Sequence, residues 1–306
     1  MTEPGEKKPL NILTVARTLR VNQWTKNGIV FAAFLFAFWD SSSSAYKDIT
    51  ALVTVLPAVA LFCIASSGIY VLNDIRDIEA DRNHPKKKFR PIAAGLISIP
   101  QAWIISCVLL AAGILGSMAI NLPFAGVITA YIVLQLAYSL GLKHLALFDI
   151  FMIATGFVLR AIAGAVAIHV IISPWLLLCT FLLALFLATC KRRHEKIVLS
   201  DLGNNHRASL EKYDAHLLDQ LIAILSGATV VAYAMYTLAP ETVEKFETSA
   251  LGFTIPFVMF GIFRYLDLVY RHEKGDRPEK ILLTDLPIMV NMLLYLLVVV
   301  AIFMLK

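Results

Sequence analysis

Asp74, Asp77, Glu79 and Asp81 fall within nine positions, directly after a long apolar run, in the segment Asn73-Asp74-Ile75-Arg76-Asp77-Ile78-Glu79-Ala80-Asp81. Carboxylates at that density beside a hydrophobic stretch need a counter-charge, and hard oxygen ligands make a divalent metal the natural one. If the helix of the apolar run continues through the segment, Asn73, Asp77 and Asp81 recur at i, i+4 and i+8, and Asp74 joins Asp77 and Asp81 at heptad-like spacing. Three carboxylates and an amide oxygen then share one face, where like charges destabilise a bare helix. Mg²⁺ offsets that repulsion, keeps several waters and is usually completed by substrate phosphates. The expected site is therefore Asp74, Asp77 and Asp81 as metal-binding catalytic residues, with Asn73 assisting and a phosphorylated or diphosphate ligand. Glu79 falls on the other face, where a functional and a structural role weigh equally.

Cations surround this segment in the sequence. His84-Pro85 stops the helix and Lys86-Lys87-Lys88-Phe89-Arg90-Pro91 follows, a cluster that reads equally as a topology or anionic-lipid determinant and as a cradle for a polyanion. A second polar island, Lys191-Arg192-Arg193-His194-Glu195, interrupts the apolar pattern further on. Arg17, Arg20, Gln23, Trp24, Lys26 and Asn27 form a third group, in which Lys26 and Asn27 are the stronger site candidates and Trp24 reads equally as an interfacial anchor. Arg160 stands about mid-span, where an unpaired charge is expensive. Asp149 lies about 16 Å away along a helix, too far to pair with it. The partner of Arg160 must come from another element or be a ligand.

The elements that position these residues are membrane spans. Hydrophobic residues make up 58% of the 306 and charged residues 16%, which fits no soluble globular domain. Apolar stretches long enough to cross roughly 30 Å of hydrocarbon lie near 28–39, 50–72, 100–120, 123–141, 146–168, 172–190, 215–238, 250–270 and 286–305. This predicts an all-α, polytopic membrane protein with nine transmembrane helices, eight being the fallback because the 28–39 stretch is short. One transmembrane domain is expected over residues 1–306. With nine spans, 23 of the 27 Lys and Arg fall on one side, so the N-terminus, the even loops and both polar islands should be cytoplasmic. Four spans separate the islands, a placement that hints at a duplicated four-helix unit. No cleavable signal peptide is evident. Cys63, Cys107, Cys179 and Cys190 form no C-x-x-C pair, and the seven His form no H-E-x-x-H, so neither a thiolate site nor zinc hydrolysis is expected.

Asn73-Asp-x-x-Asp77-x-x-x-Asp81 after an even span resembles the UbiA superfamily of intramembrane prenyltransferases. The resemblance implies helices around a central cavity, which includes the span carrying Arg160, and two aspartate-rich motifs that bind Mg²⁺ and hold an isoprenyl diphosphate. Here the second motif, D-x-x-x-D in the typical member, is replaced by the basic island at 191–195. That departure resembles the decaprenyl-phosphate phosphoribosyltransferase branch. So do Arg20-x-x-Gln23-Trp24-x-Lys26-Asn27, His84-Pro85-x-Lys87 with Arg90-Pro91, Gly156-Phe157-x-Leu159-Arg160, Arg207-x-x-Leu210-x-x-Tyr213 and Arg264-Tyr265.

The branch implies phosphoribosyl transfer from phosphoribosyl diphosphate to a polyprenyl phosphate in the inner (plasma) membrane, serving cell-wall arabinan precursors, with no nucleic-acid partner. Its donor carries a diphosphate at C1 and a phosphate at C5, which suits one acidic and one basic motif. Lys26, Asn27, Asn73, Lys87, Arg90, Arg160, Lys191, Arg192, Glu195, Arg207 and Tyr213 are the expected substrate-binding residues. Two alternatives stay open: a conventional prenyltransferase acting on an aromatic acceptor, which would ask for a second acidic clamp, and a transporter of a phosphorylated solute, which would not need the carboxylate triad.

Overall fold

The structure, a computed structural model, describes residues 11–39, 49–201, 213–271 and 278–305, and every regular element among them is a helix. The elements are α1 (Ile12–Thr18), a 3-10 segment (Val21–Gly28), α2 (Ile29–Phe38), α3 (Ile49–Arg76), α4 (Ile78–Asn83), α5 (Ile99–Met118), α6 (Leu122–Leu140), α7 (Phe148–Ala167), α8 (Pro174–Asp201), α9 (Ala215–Leu238), α10 (Pro240–Phe246), α11 (Ile255–Arg271), α12 (Pro278–Thr284) and α13 (Leu286–Met304). Among the described residues, eight helices are long and apolar enough to cross a membrane: α3, α5, α6, α7, α8, α9, α11 and α13. The protein is thus a multi-pass membrane protein.

The expected count of nine is not confirmed. The missing span is α2, whose ten residues rise about 15 Å, half the hydrocarbon thickness. The preceding 3-10 segment adds about 16 Å at its steeper rise. The combined stretch runs from Arg20, paired with Asp74 beside the first polar island, to Trp39, stacked on Phe303 at the C-terminal end of α13.

Local sequence sets the helix ends. Ser98 and Gln101 cap α5 reciprocally, each side chain accepting from the other's backbone N–H. Asn121 starts α6 by accepting from the Phe124 N–H at 2.7 Å, and its amide donates to the Val166 carbonyl at 3.1 Å, tying the start of α6 to the end of α7. Without water in the hydrocarbon, such side-chain contacts satisfy the groups a helix end leaves over.

Small residues let the helices meet closely, because burial alone gives little drive for association in lipid. Ala65 of α3 faces Gly113 of α5, where an added Cβ would come within 3.0 Å. Gly164 of α7 lies against the backbone of α2, and a Cβ there would stand 2.0 Å from the Val30 carbonyl oxygen. Around this contact Val30, Ala58, Phe62, Phe124, Ile128, Tyr131 and Ala163 are fully buried. Gly164→Ala must push α2 off α7. We expect a loss of roughly 1 to 3 kcal/mol, read as a lower unfolding temperature in detergent; wild-type stability would mean that α2 yields freely at this contact.

Candidate active site

The first polar island sits where α3 gives way to α4. The i to i−4 backbone bonds continue across the junction, from the Asp77 N–H to the Asn73 carbonyl and from the Asp81 N–H to the Asp77 carbonyl. Asp77 itself has ψ near 12°, so the helix kinks there instead of running straight. Asp74 and Asp81 are each 2% exposed, whereas Glu79 points outward and pairs with Arg82 at 3.1 Å. The chain then turns as expected at His84-Pro85, with the His84 ring nitrogen Nδ1 accepting from the backbone N–H groups of Lys86 and Lys87.

Each carboxylate meets a cation. Asp74 pairs with Arg20 and, at 3.1 Å, with Arg90; the same Arg90 nitrogen lies 2.6 Å from Asp81. Asp77 pairs with Lys143, on the connection between α6 and α7. The Asn73 oxygen accepts from the Ser139 hydroxyl of α6. Three carboxylates and three cations thus form a network of zero formal charge, half-open at Asp77 and closed at Asp74 and Asp81.

Among the described residues, no three acidic, His or Cys groups are drawn together as a ready metal cage. The donor chemistry nonetheless fits Mg²⁺. Asn73, Asp74, Asp77 and Asp81 offer hard oxygens from one helical stretch, and a cationic nitrogen of Arg90 already bridges two of the carboxylates. A divalent ion entering with a phosphorylated ligand would exchange partners with the three cations, freeing them for phosphate oxygens.

The second island is built differently. Arg192 of α8 is 2% exposed, with Nε 2.7 Å from the Asp149 carboxylate of α7 and Nη1 on Glu195. Asp149 is fully buried and also accepts from the Tyr213 hydroxyl at 2.6 Å. Burial first, and then this bond to Asp149, raises the Tyr213 phenol well above its ordinary range, so it stays protonated. Arg193 turns away, pairing with Asp219 and stacking 4.0 Å over the Tyr270 ring. Lys191 is half-buried and Lys87 exposed. Arg207 lies outside the described residues.

Arg160 finds no carboxylate among the described residues. Its three nitrogens donate to the Asn27 side-chain oxygen at 2.8 Å, the Gly156 carbonyl at 2.8 Å and the Tyr131 hydroxyl at 2.9 Å. The rings of Phe62, Tyr131 and Phe157 surround the guanidinium at 4.8 to 5.4 Å. Asn27 is buried, its amide donating to Ser66 and Cys63. Asn27 and Arg160 therefore hold each other, and Lys26 lies one residue nearer the first island. Trp24 also belongs to the interior framework, since its indole N–H donates to Ser67 at 3.0 Å.

The structure thus brings Asn73, Asp74, Asp77, Asp81 and Arg90 into one network, places Arg192, Glu195 and Tyr213 in a second, and sets Asn27 and Arg160 deeper in the bundle. Sequence reasoning left out of the site Arg20, Lys143, Ser139, Tyr131 and Asp149. Arg20 and Lys143 were visible as cations on the side of the islands. For Asp149 the one signal was a carboxylate at the start of an apolar span, in the first turn of α7.

The sequence profile described as the UbiA prenyltransferase family matches residues 29–196. Decaprenyl-phosphate phosphoribosyltransferase of Mycolicibacterium smegmatis is 37% identical over 291 residues, covering 92% of this chain and 90% of that protein. The Mycobacterium tuberculosis protein of the same name is 34% identical, over 83% of this chain and 84% of its own length. Among solved structures, a UbiA homologue from Archaeoglobus fulgidus bound to GPP and Mg²⁺ superposes with a TM-score of 0.69 at 19% identity, covering 95% of this chain and 99% of that one. At that identity the likeness establishes the fold.

Proposed function

Because this chain belongs to the UbiA prenyltransferase family, we propose that it transfers the 5-phosphoribosyl group of phosphoribosyl diphosphate to a polyprenyl phosphate and releases diphosphate. The observation that carries the reading is the second island, where the acidic clamp of a prenyl-diphosphate enzyme is replaced by Lys191-Arg192-Arg193-His194-Glu195. A donor with two separate anionic ends suits one acidic and one basic motif. The names of the relatives agree with it, and against a solute transporter stands their identity as transferases.

Asp74, Asp77 and Asp81, assisted by Asn73, are the residues to hold Mg²⁺, which when bound withdraws charge from a leaving diphosphate. Arg20, Arg90 and Lys143, paired with those carboxylates in the structure, supply charge-assisted donors to phosphate oxygens, Arg by bidentate contact and Lys as a point charge. The bond from C1 to the diphosphate breaks with its electron pair leaving on diphosphate, and a phosphate oxygen of the lipid forms the new bond to C1. A phosphate monoester with a second pKa of about 6 is already largely dianionic near neutrality, so no general base is needed. Lys191 and Arg207 are assigned to the C5-phosphate, with Lys26 and Lys87 at the rim. Arg192, Glu195 and Tyr213 engage each other and Asp149, which supports a role in holding the site's shape over direct contact. Asn27 and Arg160 set the position of the helices beneath it.

The basic asymmetry supports a site on the cytoplasmic side of the plasma membrane. Cysteines introduced at Ser42 and Ser249 should be labelled from outside intact cells by an impermeant maleimide, and one at Ser209 should be protected. Labelling at Ser209 would put the site on the wrong face for a cytoplasmic donor. The activity itself is tested by diphosphate release from phosphoribosyl diphosphate. Release should require both polyprenyl phosphate and Mg²⁺; release from an isoprenyl diphosphate with an aromatic acceptor instead would favour the conventional prenyltransferase.

A further inference from the structure

We infer that Asp149 is a positioning residue for the transfer reaction, acting through Arg192 and Tyr213 to lock the α6–α7 connection, and with it Lys143, against the first polar island. This rests on the proposed donor and acceptor. Asp149 is fully buried at the start of α7 and serves three groups: Arg192 of α8 at 2.7 Å, the Tyr213 hydroxyl at 2.6 Å and the Ile150 N–H at 2.9 Å. The Tyr213 hydroxyl in turn accepts from the Leu147 N–H at 2.6 Å. Leu147 has φ +67° and ψ −46°, a backbone conformation that costs a branched side chain free energy and persists only where its surroundings impose it. The Tyr213 bond is the contact that imposes it. Four residues before Leu147, Lys143 reaches Asp77. One short connection is therefore fastened to the first island at one end and, through Leu147, Tyr213, Asp149 and Arg192, to the second island at the other.

A buried ion pair is a poor way to gain stability, because desolvation offsets much of the attraction, and an apolar pair of similar volume often serves as well. An apolar pair has no directionality. Asp149 accepts the Tyr213 hydroxyl on one oxygen, which supplies the direction, while its other oxygen lies 2.7 Å from Arg192 Nε as an ion pair without hydrogen-bond alignment, and beneath it Ile150, Ala154, Ala184, Leu185 and Ala188 already seal α7 against α8. Packing there joins the helices; the carboxylate sets the angle and register of what lies above them.

The test compares Asp149→Asn, Tyr213→Phe and the double variant, purified in detergent, with both substrates varied. Tyr213→Phe removes one oxygen and keeps the ring's packing, so it decides the matter even where Asp149→Asn is poorly folded. Each single variant should raise the KM for phosphoribosyl diphosphate about tenfold, on the scale of one lost orienting hydrogen bond, with the KM for polyprenyl phosphate within twofold of wild type. The double variant should be no worse than the more impaired single one, because both cut the same chain of contacts. A wild-type KM in Tyr213→Phe, or equal rises for both substrates that follow a fall in thermal stability, would overturn the inference. If wild-type protein labels no lipid from phosphoribosyl diphosphate, the substrate reading fails separately. The same variants then decide the positioning role with the isoprenyl diphosphate donor, where the donor KM alone should rise and an unchanged donor KM would overturn it.

Discussion

Asp77→Asn and Asp81→Asn should each lower turnover by at least about a hundredfold while the protein remains folded and monodisperse. Losing an electrostatic group aimed at developing charge costs on the order of 10² to 10³ in rate, and Asn keeps the volume of Asp while giving up the negative oxygen a metal requires. Asp81 is the sharper test, since its 2% exposure confines its reach to Arg90 and the interior of the site. Asp77 is half-exposed and pairs with Lys143, so its replacement also releases that cation. Glu79→Gln should stay within about twofold of wild type, because Glu79 projects outward and meets only Arg82 in a surface pair. Retained activity in both Asp variants would sink the metal assignment. Equal sensitivity of Glu79 would mean that the acidic face has been read in the wrong register.

The basic island gives the second large effect. Lys191→Ala, or Arg207→Ala, removes a charge-assisted contact to the C5-phosphate, worth roughly 1.5 to 3 kcal/mol, or about ten- to a hundredfold in KM for phosphoribosyl diphosphate. With donor saturating, the KM for polyprenyl phosphate should hardly move, since a long apolar chain anchors that substrate elsewhere. A rise in the lipid KM alone would exchange the two anions between the sites.

Much of this arrangement was legible in the chain because helical periodicity acts locally. Asn73, Asp77 and Asp81 at four-residue spacing place Asp81 inward and Glu79 outward, as observed. The kink at Asp77 was not legible, since it depends on tertiary contacts. Arg90 was legible in the basic cluster beside the acidic face, and Arg20 and Lys143 as cations on the same side, but the pairing of those two was not, since they stand 54 and 66 residues away from Asp74 and Asp77. Excluding Asp149 as the partner of Arg160 was correct on helical distance, yet nothing local pointed to Arg192 as the true one. Arg160 was expected to find its partner on another element or in a ligand; Asn27 and Tyr131 of other elements hold it, together with the Gly156 carbonyl of its own helix and three aromatic faces. The first span is not confirmed because hydropathy counts apolar residues and does not register that Val21–Gly28 coils as a 3-10 segment with Asn27 buried, which leaves the α-helical part only ten residues long.

The most direct measurement supplies phosphoribosyl diphosphate labelled in the ribose carbon to purified protein with polyprenyl phosphate and Mg²⁺, then follows the label into the organic phase. Phosphoribosyl transfer predicts that labelled lipid appears in step with released diphosphate, one for one, and that chelation of Mg²⁺ stops both. Label that stays in the aqueous phase, while an isoprenyl diphosphate is consumed in the presence of an acceptor, would contradict it.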